Sequence, residues 1–358
     1  MVLTNKITPT TKQAAAIKII VNRIKSGEKI SVLQGVAGSG KSTVQNIILE
    51  ELGYADHEII YLAFTGAAVQ VLKRKNLPAQ TLHKFLFNTI PRPGGGVMFK
   101  PKHPETYKNL KLIVVDEFSM LTEDFLDILL VFGIQVLLVG DSFQLPPIGR
   151  QNRLVKYYDA YLDEPLRQAL DNPVLWAANK IRTGEQVKYD NYGNILIVGS
   201  EQQMHENWYN KQMQFVCKFN ETKDVINLKI AKSDKLSIGD KIIFNSNDWD
   251  KDITNGTMAL INDFKNRGII YYLTGITDSG IKFKNYFATY KTQKFKKQTF
   301  DLGYAITVHK SQGSTFDMPG VFFDESTTFS PHARRFMYTA LTRFTGNFPV
   351  YWCRKQEW

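Results

Sequence analysis

The residues from Gly35 to Ser42 read G-V-A-G-S-G-K-S and match the pattern of a phosphate-binding loop. Apolar residues between Ile30 and Leu33 predict a buried strand before the loop, and apolar residues at helical spacing from Val44 to Leu52 predict a helix after it. Glycines let consecutive N–H groups surround phosphate oxygens, and the helix directs its positive end at the same anion. Lys41 can reach the β- and γ-phosphates, and the Ser42 hydroxyl can bind Mg²⁺. A chance glycine-rich turn would lack this context, so the pattern predicts binding of a nucleoside triphosphate.

A second feature with chemical capacity is the acidic pair Asp116-Glu117, which ends the apolar run 112–115. Asp116 can hold Mg²⁺ directly or through water, and Glu117 can orient and deprotonate an attacking water. Acidic residues at strand ends are common, so the pair alone says little. Together with the phosphate loop in one sheet, it predicts hydrolysis of the triphosphate.

The elements that must position these groups alternate between strands and helices. Strand-like apolar runs occupy residues 30–33, 59–64, 112–115 and 136–139. This alternation predicts a parallel α/β sheet with its chemistry at the carboxyl ends of the strands. Short β-type runs separated by turn signals then dominate from 236 to about 298 and predict a small β-domain.

A chain of 358 residues is too long for one ordinary domain. Residues 88–110 are rich in proline and glycine and predict an excursion, a hairpin tipped by Gly94–Gly96. We expect a first α/β domain, a second α/β domain in two pieces and an inserted β-domain. Their predicted bounds are 1–160 (with 88–110 as the insertion), 161–235 with 299–358, and 236–298.

The net charge of +11 favours polyanionic partners. Between Ile281 and Phe300, six lysines (282, 284, 291, 294, 296 and 297) interleave with six aromatic residues and no acid. Such a segment can form a wall for single-stranded nucleic acid, with lysines on phosphates and rings on bases. It can equally be a β-hairpin with aromatic residues in the core and lysines in water, and alternate faces can do both.

Two compositional features exclude other classes. No apolar run is long enough to cross a bilayer, and the first twelve residues lack a signal-peptide core, so we expect a cytoplasmic protein that contacts no membrane. Cys217 and Cys353 have neither disulfide-framework nor zinc-ligand spacing.

The motifs taken in order resemble a known family. They are Gln13, G-V-A-G-S-G-K-S-T, F-T-G-A-A-V, T-L-H-K-F, V-V-D-E-F-S-M, G-D-S-F-Q-L-P-P-I-G, L-R-Q, Y-A-I-T-V-H-K-S-Q-G-S-T and Y-T-A-L-T-R. The set is similar to superfamily 1 helicases of the 5′→3′ branch, the RecD and phage Dda-like proteins, from about Thr8 to Tyr351. The resemblance implies two RecA-like parallel-sheet P-loop domains, a small inserted β-barrel-like domain and a hairpin insertion that serves as a strand-separating pin.

The resemblance also implies roles at a nucleotide site that holds ATP and Mg²⁺. Gln13 would recognise the adenine edge, because an amide supplies both a donor and an acceptor. Gln144 would sense the γ-phosphate, and Arg167 and Arg343 would act as arginine fingers from the second domain. A lone arginine is usually a solvated surface residue, so both assignments rest on the resemblance. The catalytic set is Lys41, Glu117, Gln144, Arg167 and Arg343; the metal ligands are Ser42 and Asp116; the nucleotide-binding set is Gln13, Gly35, Ala37, Gly38, Ser39, Gly40, Lys41, Ser42, Thr43 and Gly313.

For the DNA track, the resemblance implies hydroxyl, imidazole and lysine groups suited to backbone phosphates. The candidates are Thr65, Thr81, His83, Thr307, His309 and Lys310, with Phe99 (and Phe87) stacking at the junction. His83 and His309 can equally be structural histidines. Relatives carry a larger polar residue at Gly66, so one strand contact is expected to be missing or made by backbone.

The function expected from the resemblance is an ATP-dependent DNA helicase that translocates 5′→3′ on single-stranded DNA and unwinds duplexes. The alternatives are an ATPase that remodels protein–DNA complexes without unwinding and an RNA-directed helicase. A metabolic kinase is disfavoured, because the second half resembles no small-substrate lid. Expected partners are single-stranded and forked DNA, with single-strand-binding or replication proteins as candidates. We expect a monomer, in the host cytoplasm if the protein is phage-encoded.

Overall fold

The computed structural model describes residues 8–91, 97–147, 149–233, 235–248, 251–290 and 298–355. Within these ranges the chain forms two parallel-sheet domains, a closed β-barrel and a two-stranded hairpin. This architecture confirms the predicted fold class.

The first domain is built on a sheet whose strands, in the described ranges, all run parallel. Its strand order is β3-β2-β6-β7-β1-β8. The strands are β1 (Ile30–Gly35), β2 (Ile59–Ala63), β3 (Ala79–Thr81), β6 (Leu112–Asp116), β7 (Gln135–Gly140) and β8 (Ala160–Leu162). The helices are α1 (Thr11–Lys25), α2 (Lys41–Leu52), α3 (Gly66–Arg74), α4 (Leu82–Leu86) and α5 (Glu123–Leu130). The central strands are mostly apolar and contribute to hydrophobic clusters that pack against helices. Strand β8 carries this sheet to Leu162, two residues beyond the predicted limit of 160.

The hairpin within residues 88–110 consists of β4 (Phe87–Pro91) and β5 (Val97–Pro101), paired antiparallel. Its base is fixed by rings: Phe87 lies edge-on to Phe99, with centroids 6.0 Å apart, and to Phe125 at 6.1 Å. The predicted glycine tip, Gly94–Gly96, lies outside the described residues. The hairpin therefore follows α4 directly, and contacts between aromatic rings hold its base in place.

The second domain is built on another sheet, of order β17-β11-β18-β19-β10-β9 in the described part of the chain, in which only the β9–β10 pair is antiparallel. Its strands are β9 (Asp190–Tyr192), β10 (Leu196–Ser200), β11 (Gln214–Cys217), β17 (Ala305–Thr307), β18 (Gly320–Asp324) and β19 (Val350–Arg354). Its helices are α6 (Arg167–Leu170), α7 (Pro173–Thr183), α8 (Asn220–Ala231), α9 (Val308–Ser311) and α10 (Pro331–Leu341). The sheet is completed by strands from both sides of the inserted barrel.

The barrel closes through strands β12 (Lys241–Phe244), β13 (Met258–Arg267), β14 (Ile270–Thr277), β15 (Lys282–Tyr290) and β16 (Thr299–Leu302). Its last strand thus extends to Leu302, past the predicted limit of 298. Phe283, Tyr286 and Phe300 are buried in its core, whereas Lys282 and Lys284 are exposed. For these residues the core-facing alternative is correct, because buried rings cannot stack on bases. Lysines 291, 294, 296 and 297, with Phe295, lie outside the described residues.

Candidate nucleotide and DNA sites

The phosphate loop joins β1 to α2 through glycines in a backbone conformation that is strained for other residues. Gly38 and Gly40 have φ angles of +78° and +82°, in the left-handed region. A Cβ on Gly40 would lie 2.5 Å from the Gln13 Nε2, and one on Gly38 would lie 2.5 Å from the Ala169 Cβ. The loop is therefore shaped both by backbone conformation and by close neighbours.

Lys41 lies inside this loop. Its Nζ donates hydrogen bonds to the carbonyl oxygens of Gly35 (2.8 Å) and Val36 (3.0 Å). The Leu166 N–H donates to the Gly38 carbonyl at 2.9 Å, which ties the loop to the segment preceding α6. The ammonium group of Lys41 is thus held inside the loop, where a change of rotamer would bring it to the phosphates of a bound nucleotide.

Three buried polar atoms that follow the neighbouring strands β1, β6 and β7 have no hydrogen-bond partner among the described residues: Ser39 Oγ in the phosphate loop, Glu117 Oε2 after β6 and Gln144 Oε1 after β7. Leaving a buried polar atom unpaired costs about 1–3 kcal/mol. At this edge of the sheet, the Ser39 hydroxyl can donate to a phosphate oxygen, and the two acceptor oxygens can accept from water associated with the phosphates. The residues present therefore fit a nucleotide.

The acidic pair lies at the end of β6. Glu117 has a φ of +53°, a strained conformation for a residue with a side chain, and its N–H donates to Asp116 Oδ1 at 3.0 Å. Burial and the nearby Glu117 carboxylate raise the pKa of Asp116 to about 6, while the Lys41 charge acts in the opposite direction. A divalent cation at this position would favour the ionised carboxylate. Ser42 and Asp116 would hold Mg²⁺ together with phosphate oxygens and waters, the ligand set that this ion prefers.

Arg343 reaches the first domain from the residues that follow α10. Its Nη1 lies 3.8 Å from Glu117 Oε1, and the residue is 4% exposed. The guanidinium is held by the Thr339 carbonyl (Nε, 3.1 Å), the Ser314 carbonyl (Nη1, 3.3 Å) and the Thr342 hydroxyl (Nη2, 3.2 Å). The second domain thus places a fixed cation beside the acid that is predicted to activate water.

Arg167 begins α6 and is exposed. It lines a cavity of about 300 Å³ together with Gln13, Ser39 and the segment Leu162–Leu166. The structure therefore places Arg167 in the same cleft as the phosphate loop, on the side of Gln13.

Gln13 is buried and connects the cavity to the loop. Its Oε1 accepts the Thr10 N–H at 3.0 Å in a capping box that starts α1, and its Nε2 donates to the Ser39 carbonyl at 3.0 Å. A glutamine amide has two donors and two acceptor positions, so one of each is left. That remaining pair is what recognition of an adenine edge requires.

Gln144 and Gly313, both predicted for the nucleotide site, lie in different domains: Gln144 follows β7 and Gly313 follows α9. Gln144 is buried in the loop after β7, and its N–H donates to the Asp141 carbonyl at 3.2 Å. A Cβ on Gly313 would lie 2.8 Å from Thr65 Oγ1 and 3.0 Å from the Ala68 Cβ. Gly313 thus packs against the start of α3, and its place in the nucleotide site stays a prediction.

The three threonines of the predicted DNA track each begin a helix. Thr65, Thr81 and Thr307 accept the N–H of Ala68 (3.2 Å), Lys84 (3.3 Å) and Lys310 (3.3 Å), respectively. A capping hydroxyl keeps its proton free to donate, as a phosphate contact needs. Thr81 is only 4% exposed and caps α4, and its contact with DNA stays a prediction.

The two histidines pack against rings. His83 lies 4.7 Å from the Phe125 ring, and His309 lies 5.7 Å from the Phe336 ring. Burial lowers the pKa of both imidazoles, and His332 lowers that of His309 further, so both are neutral near pH 7. Their packing supports the structural alternative, although a neutral imidazole still has one donor.

Lys310 and Phe99 differ in exposure. The Lys310 Nζ donates to the Asn245 Oδ1 of the barrel, and burial lowers its pKa to about 8. Phe99 on β5 is 54% exposed, in edge contact with Phe87. Of the predicted DNA residues, Phe99 presents a ring that is accessible to a base.

Close packing against the inserted β-domain explains why residue 66 is a glycine. A Cβ there would lie 1.4 Å from Thr254 Oγ1 and 2.1 Å from the Thr254 Cβ, so the barrel contacts the α3 backbone directly. Lys73 pairs with Asp252 at 3.1 Å along the same face. The departure from a larger polar residue thus allows the barrel to dock.

Comparisons with known proteins agree with this geometry. The family model described as AAA domain matches residues 8–200, more than half of the chain, and the model described as UvrD-like helicase C-terminal domain matches residues 302–345. The ATP-dependent RecD2 DNA helicase of Deinococcus radiodurans is 27% identical over 366 residues, which cover 90% of this chain and 47% of RecD2. The chain belongs to the AAA-domain family, in the group of superfamily 1 helicases.

A second relative of the superfamily 1 chain is the ATP-dependent DNA helicase Pif1 of Campylobacter jejuni, 23% identical over 370 residues that cover 80% of this chain and 81% of that Pif1. The chain thus spans about half the length of RecD2 and four fifths of this Pif1. The crystal structure of Bacteroides Pif1 bound to ssDNA has a TM-score of 0.62 at 23% identity, covering 96% of this chain and 92% of that one. This likeness shows the fold. In the described residues, no helix is long and apolar enough to cross a membrane.

Two residues of the superfamily 1 chain were missed by reasoning from the sequence. Tyr338 on α10 is fully buried and donates its hydroxyl to Asp141 Oδ2, and burial raises the pKa of Asp141. Both residues stand within quoted motifs, but a tyrosine in an apolar helix and one more acid at a strand end give no signal of their own. Their contact joins positions that are 197 residues apart.

Proposed function

We propose that this chain is an ATP-dependent DNA helicase that translocates 5′→3′ on single-stranded DNA and unwinds duplexes. The observation that carries the proposal is the approach of Arg343, from one domain, to Glu117, beside the phosphate loop of the other. Catalytic charges divided between two domains couple hydrolysis to relative movement of those domains.

Each residue in the cleft has a part in this proposal. The N–H groups of the phosphate loop and Lys41 bind phosphate oxygens, and Glu117 orients and deprotonates water. Gln144 donates its amide N–H to the γ-phosphate, and its unpaired amide oxygen accepts a hydrogen bond from the attacking water. Arg343 and Arg167 neutralise the charge that develops on the transferring group. When bound at Ser42 and Asp116, Mg²⁺ supplies further neutralisation of the phosphate charge.

On the DNA side, Thr65, Thr307, His83, His309 and Lys310 remain candidates for backbone contacts and Phe99 for stacking. The relatives named RecD2 and Pif1 are DNA helicases, and the Pif1 structure is described as bound to ssDNA. These names support DNA as the partner. We further propose the division into two RecA-like domains and an inserted barrel, with the first domain ending after Leu162 and the barrel after Leu302. We also propose action as a monomer in the cytoplasm, and single-strand-binding or replication proteins as further partners.

Strand displacement tests the proposal. A labelled duplex with a 5′ single-stranded tail and one with a 3′ tail are mixed with the protein, Mg²⁺ and ATP, and release of the labelled strand is followed. We expect release from the 5′-tailed duplex and much less from the 3′-tailed one. Release from neither, with ATP hydrolysis still stimulated by DNA, would favour the remodelling ATPase. Stronger stimulation by RNA would favour the RNA-directed helicase.

A further inference from the structure

The hydroxyl of Tyr338 links the two domains at the phosphate loop itself. It accepts the backbone N–H of Ala37 at 2.7 Å and donates to Asp141 Oδ2. Tyr338 belongs to α10 of the second domain, whereas Ala37 and Asp141 belong to the first. One hydroxyl thus satisfies an amide of the loop and a buried carboxylate together.

The surroundings of Tyr338 hold it firmly in place. The Phe143 ring lies perpendicular to the Tyr338 ring, with centroids 5.2 Å apart, and Tyr338 has no exposed surface. The next residue, Thr339, accepts the Leu145 N–H at 2.9 Å, and Gln312 donates to the Leu145 carbonyl at 3.0 Å. Helix α10 is therefore bound along the loop that follows β7, and Tyr338 is its contact with the phosphate loop.

The Ala37 N–H belongs to a loop whose N–H groups serve as phosphate donors. Such a hydrogen atom makes one good bond, either to the tyrosine hydroxyl or to an anionic oxygen. Bonds to a charged acceptor are roughly twice as strong as those between neutral groups. A bound triphosphate therefore competes with Tyr338 for this donor.

We propose that Tyr338 is a positioning residue that latches α10 to the phosphate loop in the nucleotide-free protein and is released from Ala37 when a nucleoside triphosphate binds. The inference rests on the proposed function, since it assigns the regulation of the same site. Release would leave Tyr338 bonded to Asp141 alone, so that α10 could shift relative to the loop in every cycle. Binding of a nucleotide to the first domain would thereby change the contacts of α10 in the second domain.

The substitution Tyr338→Phe removes the latch and keeps the ring. Because the lost bond exists only without nucleotide, the variant should bind a fluorescent, non-hydrolysable ATP analogue about two- to tenfold more tightly than the wild type. The KM for ATP should fall by a similar factor, while kcat at saturating ATP and single-stranded DNA stays within about twofold. A merely structural tyrosine would instead weaken binding or lower kcat when truncated.

Tyr351→Phe is the matched control, because the Tyr351 hydroxyl donates to the Ser200 carbonyl at 2.9 Å on the edge of the second sheet. Thermal unfolding of both variants is measured alongside. Tighter binding for Tyr338→Phe alone supports the latch; equal or weaker binding in a folded Tyr338→Phe variant overturns it. If that variant does not fold, the isosteric Asp141→Asn replaces the charged acceptor of the Tyr338 proton by a weaker, neutral one and so makes the Tyr338 oxygen a poorer acceptor for Ala37. It should tighten binding in the same direction, and its failure to do so overturns the latch. A wild-type protein that binds no analogue would refute the proposed function instead.

Discussion

Replacement of Arg343 by alanine should separate catalysis from folding. The variant loses three hydrogen bonds within the second domain, which at roughly 0.5–1.5 kcal/mol each lowers the free energy of unfolding by about 1.5–4.5 kcal/mol. It also loses the cation 3.8 Å from Glu117, and removal of an arginine finger typically costs on the order of 10³–10⁵ in rate. The two losses are of different kinds and can be measured independently.

The assay is phosphate release at saturating ATP with and without single-stranded DNA, with thermal unfolding measured on the same samples. Arg334→Ala is the matched control: Arg334 lies on α10, the helix that precedes Arg343, and donates to the carbonyls of Ile181 (3.5 Å) and Arg182 (3.3 Å) of α7. We expect the control to unfold at a lower temperature but hydrolyse ATP within a few-fold of the wild type. A folded Arg343→Ala variant whose kcat is within tenfold of that of Arg334→Ala would refute the catalytic role.

Further predictions concern the barrel contact, the hairpin and the acidic pair. Gly66→Ala should lower the temperature of unfolding, because the new Cβ overlaps Thr254. The additional substitution Thr254→Gly should restore much of that loss. An unchanged unfolding temperature for Gly66→Ala would mean that the barrel does not dock there. Phe99→Ala should reduce strand displacement about tenfold or more, since base stacking contributes about 1–3 kcal/mol, and leave DNA-stimulated hydrolysis within twofold; equal loss of both activities would contradict a role at the junction. Asp116→Asn should nearly abolish hydrolysis. The pKa of Asp116 is raised from 3.8 to about 6 in the folded protein, so its ionisation lowers stability as the pH rises from about 4 to 6, and the full loss is present above that range. Asp116→Asn should therefore exceed the wild type in thermal stability at pH 8 and lose this advantage by about pH 4. An advantage independent of pH would show that the carboxyl is not perturbed.

The parts of the site that follow from local chemistry could be predicted from the sequence. The loop Gly35–Ser42 needs left-handed glycines at fixed spacing, and an acidic pair after an apolar run marks a strand end. The alternation of strands and helices was enough for a parallel sheet, and the short β-type runs were enough for a small β-domain. The pair of RecA-like sheets and the closed barrel were expected only from the family resemblance. Element ends such as Leu162 and Leu302 differ by a few residues, because pairing with neighbouring strands decides where a strand stops.

What the sequence could not supply depends on contacts between distant positions. Tyr338 is functional in our account only because α10 brings it to Ala37, 301 residues away. Gly66 is explained by Thr254 of the barrel, and Gly313 by Thr65. The burial of Thr81 and of the barrel rings is likewise a property of packing, which residue type and spacing alone do not fix.

The most direct measurement of the central claim is ATP hydrolysis by the wild type and by Lys41→Ala, with and without single-stranded DNA, together with DNA binding by both. If a triphosphate at the phosphate loop drives movement on DNA, the wild type hydrolyses ATP faster with DNA. Lys41→Ala then loses hydrolysis while its affinity for single-stranded DNA stays within a few-fold. Unaltered hydrolysis by Lys41→Ala, or a wild-type rate indifferent to DNA, would contradict the account.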